Sequence, residues 1–251
     1  MAGGGGVARA LDGRVALVTG AGRRLGRAIA VALAADGARV AVHYHVSADG
    51  ARETLATIER VGGRAAAYRA DLRDPGASER LVADVAKDGA RLDLLVNSAA
   101  SFVRTPLGTV TPAEWDEIFA LNLRAPFFLS LAAARAMGDS GGAIVNLSDH
   151  MGFESWPAFA PHGISKAAVS AMTRTLASAL APKVRVNAVA PGAVLPPEDW
   201  PEEERRRFAE RTPLGRVGTP DDVAHAVLFL ATAEYVTGVT LFVDGGRHDA
   251  P

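Results

Sequence analysis

Seven short apolar runs, each separated from the next by a segment long enough for a helix, most tightly limit the folds open to this chain. The runs are "RVALVT" (14–19), "RVAVHY" (39–44), "RAAAYR" (64–69), "LDLLVN" (92–97), "GAIVNL" (142–147), "VRVNAVA" (184–190) and "VTLFVDG" (239–245). Strands built from such runs are apolar on both faces and need cover on both. The intervening segments carry apolar residues at helical spacing, as at Ala28, Ile29, Val31, Ala32 and Leu33, or Val223, Ala226, Val227 and Leu230. Strand and helix in alternation give parallel strands joined by crossover helices. The expected fold is therefore α/β, a single doubly wound parallel sheet of seven strands flanked by helices over residues 11–251. Residues 1–10, "MAGGGGVARA", read as a flexible leader.

Hydrophobic residues make up 49% of the chain and aromatics only 6%, so Ala, Val and Leu must fill the core. A formal net charge of −1 gives no electrostatic case for nucleic acid or an anionic membrane. The densest charge run, "PEEERRRFAER" (201–211), sets opposite signs three and four apart, the pattern of a solvated helix face. Without cysteine the chain has neither disulfides nor thiolate chemistry. No apolar stretch approaches the ~18 residues of a membrane span, and the start lacks the apolar core of a secretory signal. A cytoplasmic protein is expected.

A doubly wound sheet binds ligands beyond the carboxyl ends of its strands. The first such end reads "TGAGRRLG" (19–26). Gly20 and Gly22 are free to take positive φ and bring backbone N–H groups to an anion, and the helix that follows offers its positive end. Gly26 leaves room for that helix to pack on the sheet. Dinucleotide binding follows from this placement. After the second run, Val42 to Ser47 includes no carboxylate to take ribose hydroxyls. A 2′-phosphate there would meet Arg24, His45, Ser47 and a helix N-terminus, which favours NADP(H). His43 and His45 alternate onto one strand face, but with no third ligand in sight no metal is assigned.

The spacing T-G-x-x-x-R-x-G, together with "LVNSAA" (95–100), Asn122, "RVNAVAPG" (185–192) and "VDGG" (243–246), resembles the short-chain dehydrogenase/reductase family across nearly the whole chain. Within it, Arg24 at a usual glycine position, "HYHVS" (43–47) and "SFVRTPL" (101–107) look most like the pteridine reductases, which reduce pterins with NADPH. Val46 departs from them, since they often carry an arginine there. The resemblance implies a Rossmann-type NADP-binding domain and a homotetramer. It assigns cofactor contacts to Gly20, Arg23, Arg24, Leu25, Gly26, Tyr44, His45 and Ser47. It adds Asp71 and Leu72 of the adenine turn "RADL", then Asn97, Ala99, Lys166, Pro191, Gly192 and Val194.

In that family a tyrosine exchanges the substrate proton. A lysine four residues later holds the nicotinamide ribose, and a serine (aspartate in the pteridine reductases) lies thirteen residues before the tyrosine. Counting back from Lys166 gives His162 and then Asp149, so histidine stands where the tyrosine is expected. Tyr44, Tyr68 and Tyr235 all lie elsewhere. An imidazole exchanges protons near neutrality more readily than an unassisted phenol. The expected site is His162 as proton donor facing the nicotinamide, Asp149 orienting its ring, Lys166 on the ribose, and Asn122 holding a water that links Lys166 to solvent. An imidazolium is tolerable beside the neutral ring of NADPH but not beside the cationic ring of NADP⁺, which favours reduction. His150 is expected to be a loop residue, with the alternative that it reaches the cleft as an acid.

Phe102 matches the aromatic that stacks on the pterin, and Ala100 replaces a serine that contacts it. Arg24 would lie near the pterin's polar edge as well as the pyrophosphate. The loop after Pro191 and Gly192 should form a flap, with Trp200 as an apolar lid. The expected function is NADPH-dependent reduction of a pterin-like heterocycle. Two alternatives stay open: a carbonyl or 3-oxoacyl reductase, and a catalytically silent NADP(H)-binding protein, since loss of the tyrosine is how members of the family become non-catalytic.

Overall fold

In the computed structural model, which describes residues 9–195 and 201–249, each apolar run forms a strand. These are β1 (Val15–Val18), β2 (Arg39–Tyr44), β3 (Arg64–Arg69), β4 (Leu94–Asn97), β5 (Gly142–Leu147), β6 (Val184–Pro191) and β7 (Thr240–Val243). They make one parallel sheet in the order β3-β2-β1-β4-β5-β6-β7. The order reverses between β1 and β4, which opens a crevice at their carboxyl ends. β4 begins two residues later than its apolar run, just after Asp93, whose carboxylate accepts from the Val15 N–H (2.9 Å) and the Arg14 guanidinium (3.1 Å).

The crossovers are α1 (Arg24–Ala35), α2 (Ala48–Arg60), α3 (Ala77–Gly89), α4 (Pro112–Phe119), α5 (Ala125–Met137), α6 (Ala160–Leu180), α7 (Glu202–Glu210) and α8 (Pro220–Thr232). Along β1, Ala16 and Val18 face a core built with Ile29, Leu33, Ile58 and Leu230 of α1, α2 and α8. Val15 and Leu17 face the opposite core, with Leu81, Leu129, Val169 and Leu176 of α3, α5 and α6. This period of two is what a strand covered on both sides requires. Each such fully buried Leu or Ile contributes roughly 1.5–3 kcal/mol. The edge strand β7 is only partly covered.

α4 starts on a capping box, Thr111 with Glu114, and its axis runs through a π-helical turn at Ala120–Arg124 into α5. The continuous run Pro112–Ser140 is long and apolar enough to cross a membrane by length and hydropathy alone, contrary to the expectation from sequence. Here its apolar residues Leu129, Ala133 and Met137 pack on the sheet. Of the expected leader, residues 1–8 lie outside the described residues, and Arg9 and Ala10 are exposed.

Candidate active site

β1 is followed by Thr19, whose hydroxyl accepts from the Ser98 and Ala99 N–H groups (2.9 and 3.0 Å) and so ties the glycine turn to the exit of β4. Gly20 sits at φ +67°, and a Cβ there would lie 2.9 Å from Ala99 Cα. Gly22 does not share this conformation. The second left-handed residue is Arg24, at φ +50°, so the chain keeps the backbone that a glycine would favour while carrying an arginine. A Cβ on Gly26 would stand 2.4 Å from the Gly20 carbonyl, which lets α1 begin directly on the turn. The α1 N-cap, Arg23, makes no side-chain cap, and the first turn holds no acidic residue. Its amides are thus left for an anion, as a dinucleotide pyrophosphate requires.

Sequence reasoning missed what His43 does. Its Nδ1 accepts from the Gly20 N–H (3.1 Å), which obliges Nε2–H to donate to the Ala70 carbonyl (3.1 Å). Burial, opposed by the Ala70 bond, pushes its pKa down to about 4, so the ring is neutral at pH 7. Both nitrogens are occupied, which removes His43 from any metal site. The region after β2 has no carboxylate of its own, but the fold brings Asp71 there, 3.5 Å from His45 Nε2. Arg73 holds that carboxylate through two bonds (2.9 and 2.8 Å) and depresses it to about 2. Leu72 is buried, Tyr44 packs on the core, and Ser47 caps α2 without a side-chain bond. Asn97 is also turned inward, onto Asn146 Oδ1 (2.8 Å) and Ser130 Oγ (3.2 Å), so a cofactor contact at that position falls to the main chain.

At the other end of the crevice, His162 lies in the first turn of α6 and Lys166 one turn further on. Asp149 caps a short 3₁₀ turn, accepting from the Met151 N–H at 2.8 Å. One carboxylate oxygen faces His150 Nδ1 (3.1 Å) and the other His162 Nε2 (3.5 Å). Burial works against the charge on Asp149, but the two imidazoles outweigh it and hold the carboxyl well below the usual range. His162 Nδ1 donates to the Ser101 carbonyl (3.0 Å). His150, expected to be a loop residue, is buried, and its Nδ1 also donates to the Pro191 carbonyl (3.1 Å).

Lys166 Nζ donates to the Leu147 carbonyl (2.6 Å), and burial lowers its pKa to about 8 against the pull of Asp149. The Asn122 side chain is taken up by its neighbours. The π turn aims it at Ser101, whose N–H it accepts (2.7 Å) and whose carbonyl takes its Nδ2–H (3.1 Å), with Ser165 Oγ at 3.1 Å. It braces the loop that carries the His162 partner.

That loop is pinned by Thr105, whose N–H donates to the Ala158 carbonyl (2.8 Å). Phe102 thereby stacks on Phe159 (centroids 4.8 Å) and meets the His162 ring edge-on (4.9 Å). Phe102 is 56% exposed and keeps a free face, whereas His162 is only 2% exposed. The imidazole therefore faces Asp149 behind the Phe102 cover rather than an open cleft. Ala100 is exposed beside it. Arg24 reaches across the crevice to donate to the Leu195 carbonyl at 3.1 Å. Gly192 donates to the Val243 carbonyl, and Val194 is buried at the end of β6. A cavity of about 520 Å³ opens under α7, bordered by Val194, Phe208, Leu214, Phe242 and His248 among others; Asp149, His162 and Lys166 do not line it. Trp200 lies outside the described residues.

The family model described as enoyl-(acyl carrier protein) reductase matches residues 20–248. The chain is 39% identical to 3beta-hydroxysteroid dehydrogenase 1 of Eggerthella lenta, covering 94% of each chain. It is also 39% identical to versicolorin reductase 1 of Aspergillus parasiticus, covering 94% of this chain and 97% of that one. Its fold superposes with a TM-score of 0.89, at 38% identity, on LugOII, a reductase described as promiscuous and as catalysing keto-reduction at C1 during lugdunomycin biosynthesis. That match covers 96% of this chain and 99% of LugOII. None of these three is named a pteridine reductase. With the parallel sheet, the glycine turn and the Asp149–His162–Lys166 array in place, the chain belongs to the short-chain dehydrogenase/reductase family of oxidoreductases.

Proposed function

We propose that this protein is an NADPH-dependent ketoreductase acting on a flat, ring-bearing ketone, with His162 delivering the proton to the carbonyl oxygen. The observation that carries this reading is the 3.5 Å approach of His162 Nε2 to Asp149 Oδ2, one helical turn before Lys166. The family binds a nicotinamide dinucleotide, which when bound supplies a hydride to the carbonyl carbon. Arg24, His45 and Ser47 favour the 2′-phosphate form, because Arg73 neutralises the Asp71 carboxylate that lies beside His45.

The carbonyl oxygen takes its place beside Asp149, where an Nε2–H is within reach once the half-exposed Phe102 ring moves aside. His162 gives up that proton while Nδ1 stays bonded to Ser101, and solvent returns it past Asp149. Lys166, which donates to the Leu147 carbonyl, would hold the nicotinamide ribose when the cofactor is bound. The free face of Phe102 supports stacking of a planar substrate. It supports a pterin as a second reading, since Asp149 is shared with the pteridine reductases.

The test is NADPH oxidation with 2-tetralone and with dihydrobiopterin, for the natural chain and His162→Phe. Turnover of 2-tetralone that His162→Phe lowers by about 10²-fold or more supports the ketoreductase. Turnover of dihydrobiopterin alone selects the pterin reading. Tight NADPH binding with neither turnover selects the silent binder, a reading favoured by the enclosure of His162.

A further inference from the structure

The proposed proton donor, His162 Nε2, is buried and makes no hydrogen bond among the described residues. A ligand that uses it must first displace what covers the imidazole. Two aromatic rings make that cover. Phe102 meets His162 edge-on (centroids 4.9 Å) and is itself stacked on Phe159, at 4.8 Å with the planes 12° apart.

The two rings are held differently. Phe159 is fixed by its backbone: its N–H donates to the Trp156 carbonyl (2.9 Å), and its carbonyl accepts from the Gly163 N–H (2.9 Å) at the start of α6. Its side chain takes no part in capping that helix, so the ring is free to serve another purpose. Phe102 sits in a short span anchored only near its ends, by Asn122 on Ser101 and by the Ala158 carbonyl on the Thr105 N–H. Between those anchors Phe102, Val103 and Arg104 are exposed. Motion is least opposed in exposed segments of this kind. Phe102 is thus the ring that can move, and Phe159 the ring that it leaves.

We infer that Phe159 is a positioning residue for Phe102, the fixed half of an aromatic gate that admits flat rings to His162 and resists saturated ones. Opening breaks the Phe102–Phe159 stack and frees a face on each ring. A ligand with an aromatic ring restores the stacking, and a saturated ligand does not. Stacking of this kind changes an equilibrium constant by about three- to tenfold, and the discrimination should be of that size. The selection of a substrate rests on the ketoreductase reading; the closure over His162 does not.

The test compares the natural chain with Phe159→Leu, which keeps an apolar side chain but no stacking face, and Phe159→Tyr, which keeps the face. The first readout is carbethoxylation of histidines by diethyl pyrocarbonate, located by peptide mass spectrometry. His225, exposed on α8, is the reference, and the buried His150 reports general loosening. Phe159→Leu should label His162 about three- to tenfold faster than the natural chain, with His150 unchanged, and Phe159→Tyr should match the natural chain. An unchanged His162 rate overturns the gate, as does a rise that His150 shares or that Phe159→Tyr reproduces. The second readout is kcat/KM for 2-tetralone relative to its saturated counterpart 2-decalone. Phe159→Leu should lower that ratio by about three- to tenfold, and a ratio within about twofold of the natural one overturns the selection of flat rings. If Phe159→Leu does not fold, Phe159→Met takes its place. Faster labelling with neither ketone reduced leaves the gate standing and removes the ketoreductase.

Discussion

Asp149 and His162 meet through Oδ2 and Nε2 at 3.5 Å, across the gap between the end of β5 and the first turn of α6. Neither the loop nor the helix alone brings them together, yet the carboxylate gives the ring its orientation. Asp149→Asn replaces a charged acceptor by an amide that still accepts from the Met151 N–H. Turnover of whichever substrate proves active should fall by about 10²-fold or more while NADPH affinity stays within a few-fold. Steady-state kinetics with fluorescence titration separates the two effects.

Lys166 gives a pH dependence of definite sign. Its pKa is lowered from 10.5 to about 8 by burial, so between those values the unfolded chain holds more protons than the folded one. Stability from this group therefore rises with pH from about 8 to 10.5, and at pH 7 the buried charge is a burden of up to about 3 kcal/mol. The Tm difference between Lys166→Met and the natural chain should shift in favour of the natural chain on going from pH 7 to pH 10. A difference that does not change with pH would mean the ammonium is hydrated in solution.

His43 titrates the other end of the crevice. With its folded pKa near 4 against 6.5 unfolded, the unfolded chain binds more protons in that window, and stability falls as pH drops from 6.5 towards 4. His43→Phe leaves the Gly20 N–H and the Ala70 carbonyl without partners, which should cost about 1–3 kcal/mol each at most. His43→Asn, whose oxygen can still accept from Gly20, should recover part of that. Urea unfolding at pH 7 and pH 5 measures both, and the gap between natural chain and His43→Phe should narrow at pH 5.

Arg24 holds a left-handed backbone that costs an L-residue roughly 1–2 kcal/mol, whereas glycine there would lose about 0.5–1 kcal/mol of unfolded-chain entropy. Arg24→Gly should thus leave folding stability within about 1 kcal/mol. It also removes the bond to the Leu195 carbonyl and a cation from the glycine turn proposed to hold the pyrophosphate. NADPH affinity should fall about tenfold, with little loss for NADH if the arginine acts on the 2′-phosphate. Parallel fluorescence titrations with the two cofactors test this, and equal losses would assign Arg24 to the shared pyrophosphate.

The sequence by itself determined the sheet and the spacing of polar side chains at its strand ends. Short apolar runs and helical spacing report local burial, so β2, β3 and β5 fall on their runs residue for residue. The counts linking Asp149, His162 and Lys166 are likewise local, because one helical turn separates the last two. Which side chains meet was decided by tertiary structure, since hydrogen-bond partners far apart in sequence leave no periodic trace. His43 reads as one polar residue in a strand until Gly20 and Ala70 arrive at its two nitrogens, 23 and 27 positions away. Asn122 likewise reads as one polar residue in a helix until Ser101, 21 positions away, closes on both ends of its amide. Enclosure of His162 behind Phe102 and Phe159 is likewise a property of three packed segments, and only their packing sets how the imidazole can be reached.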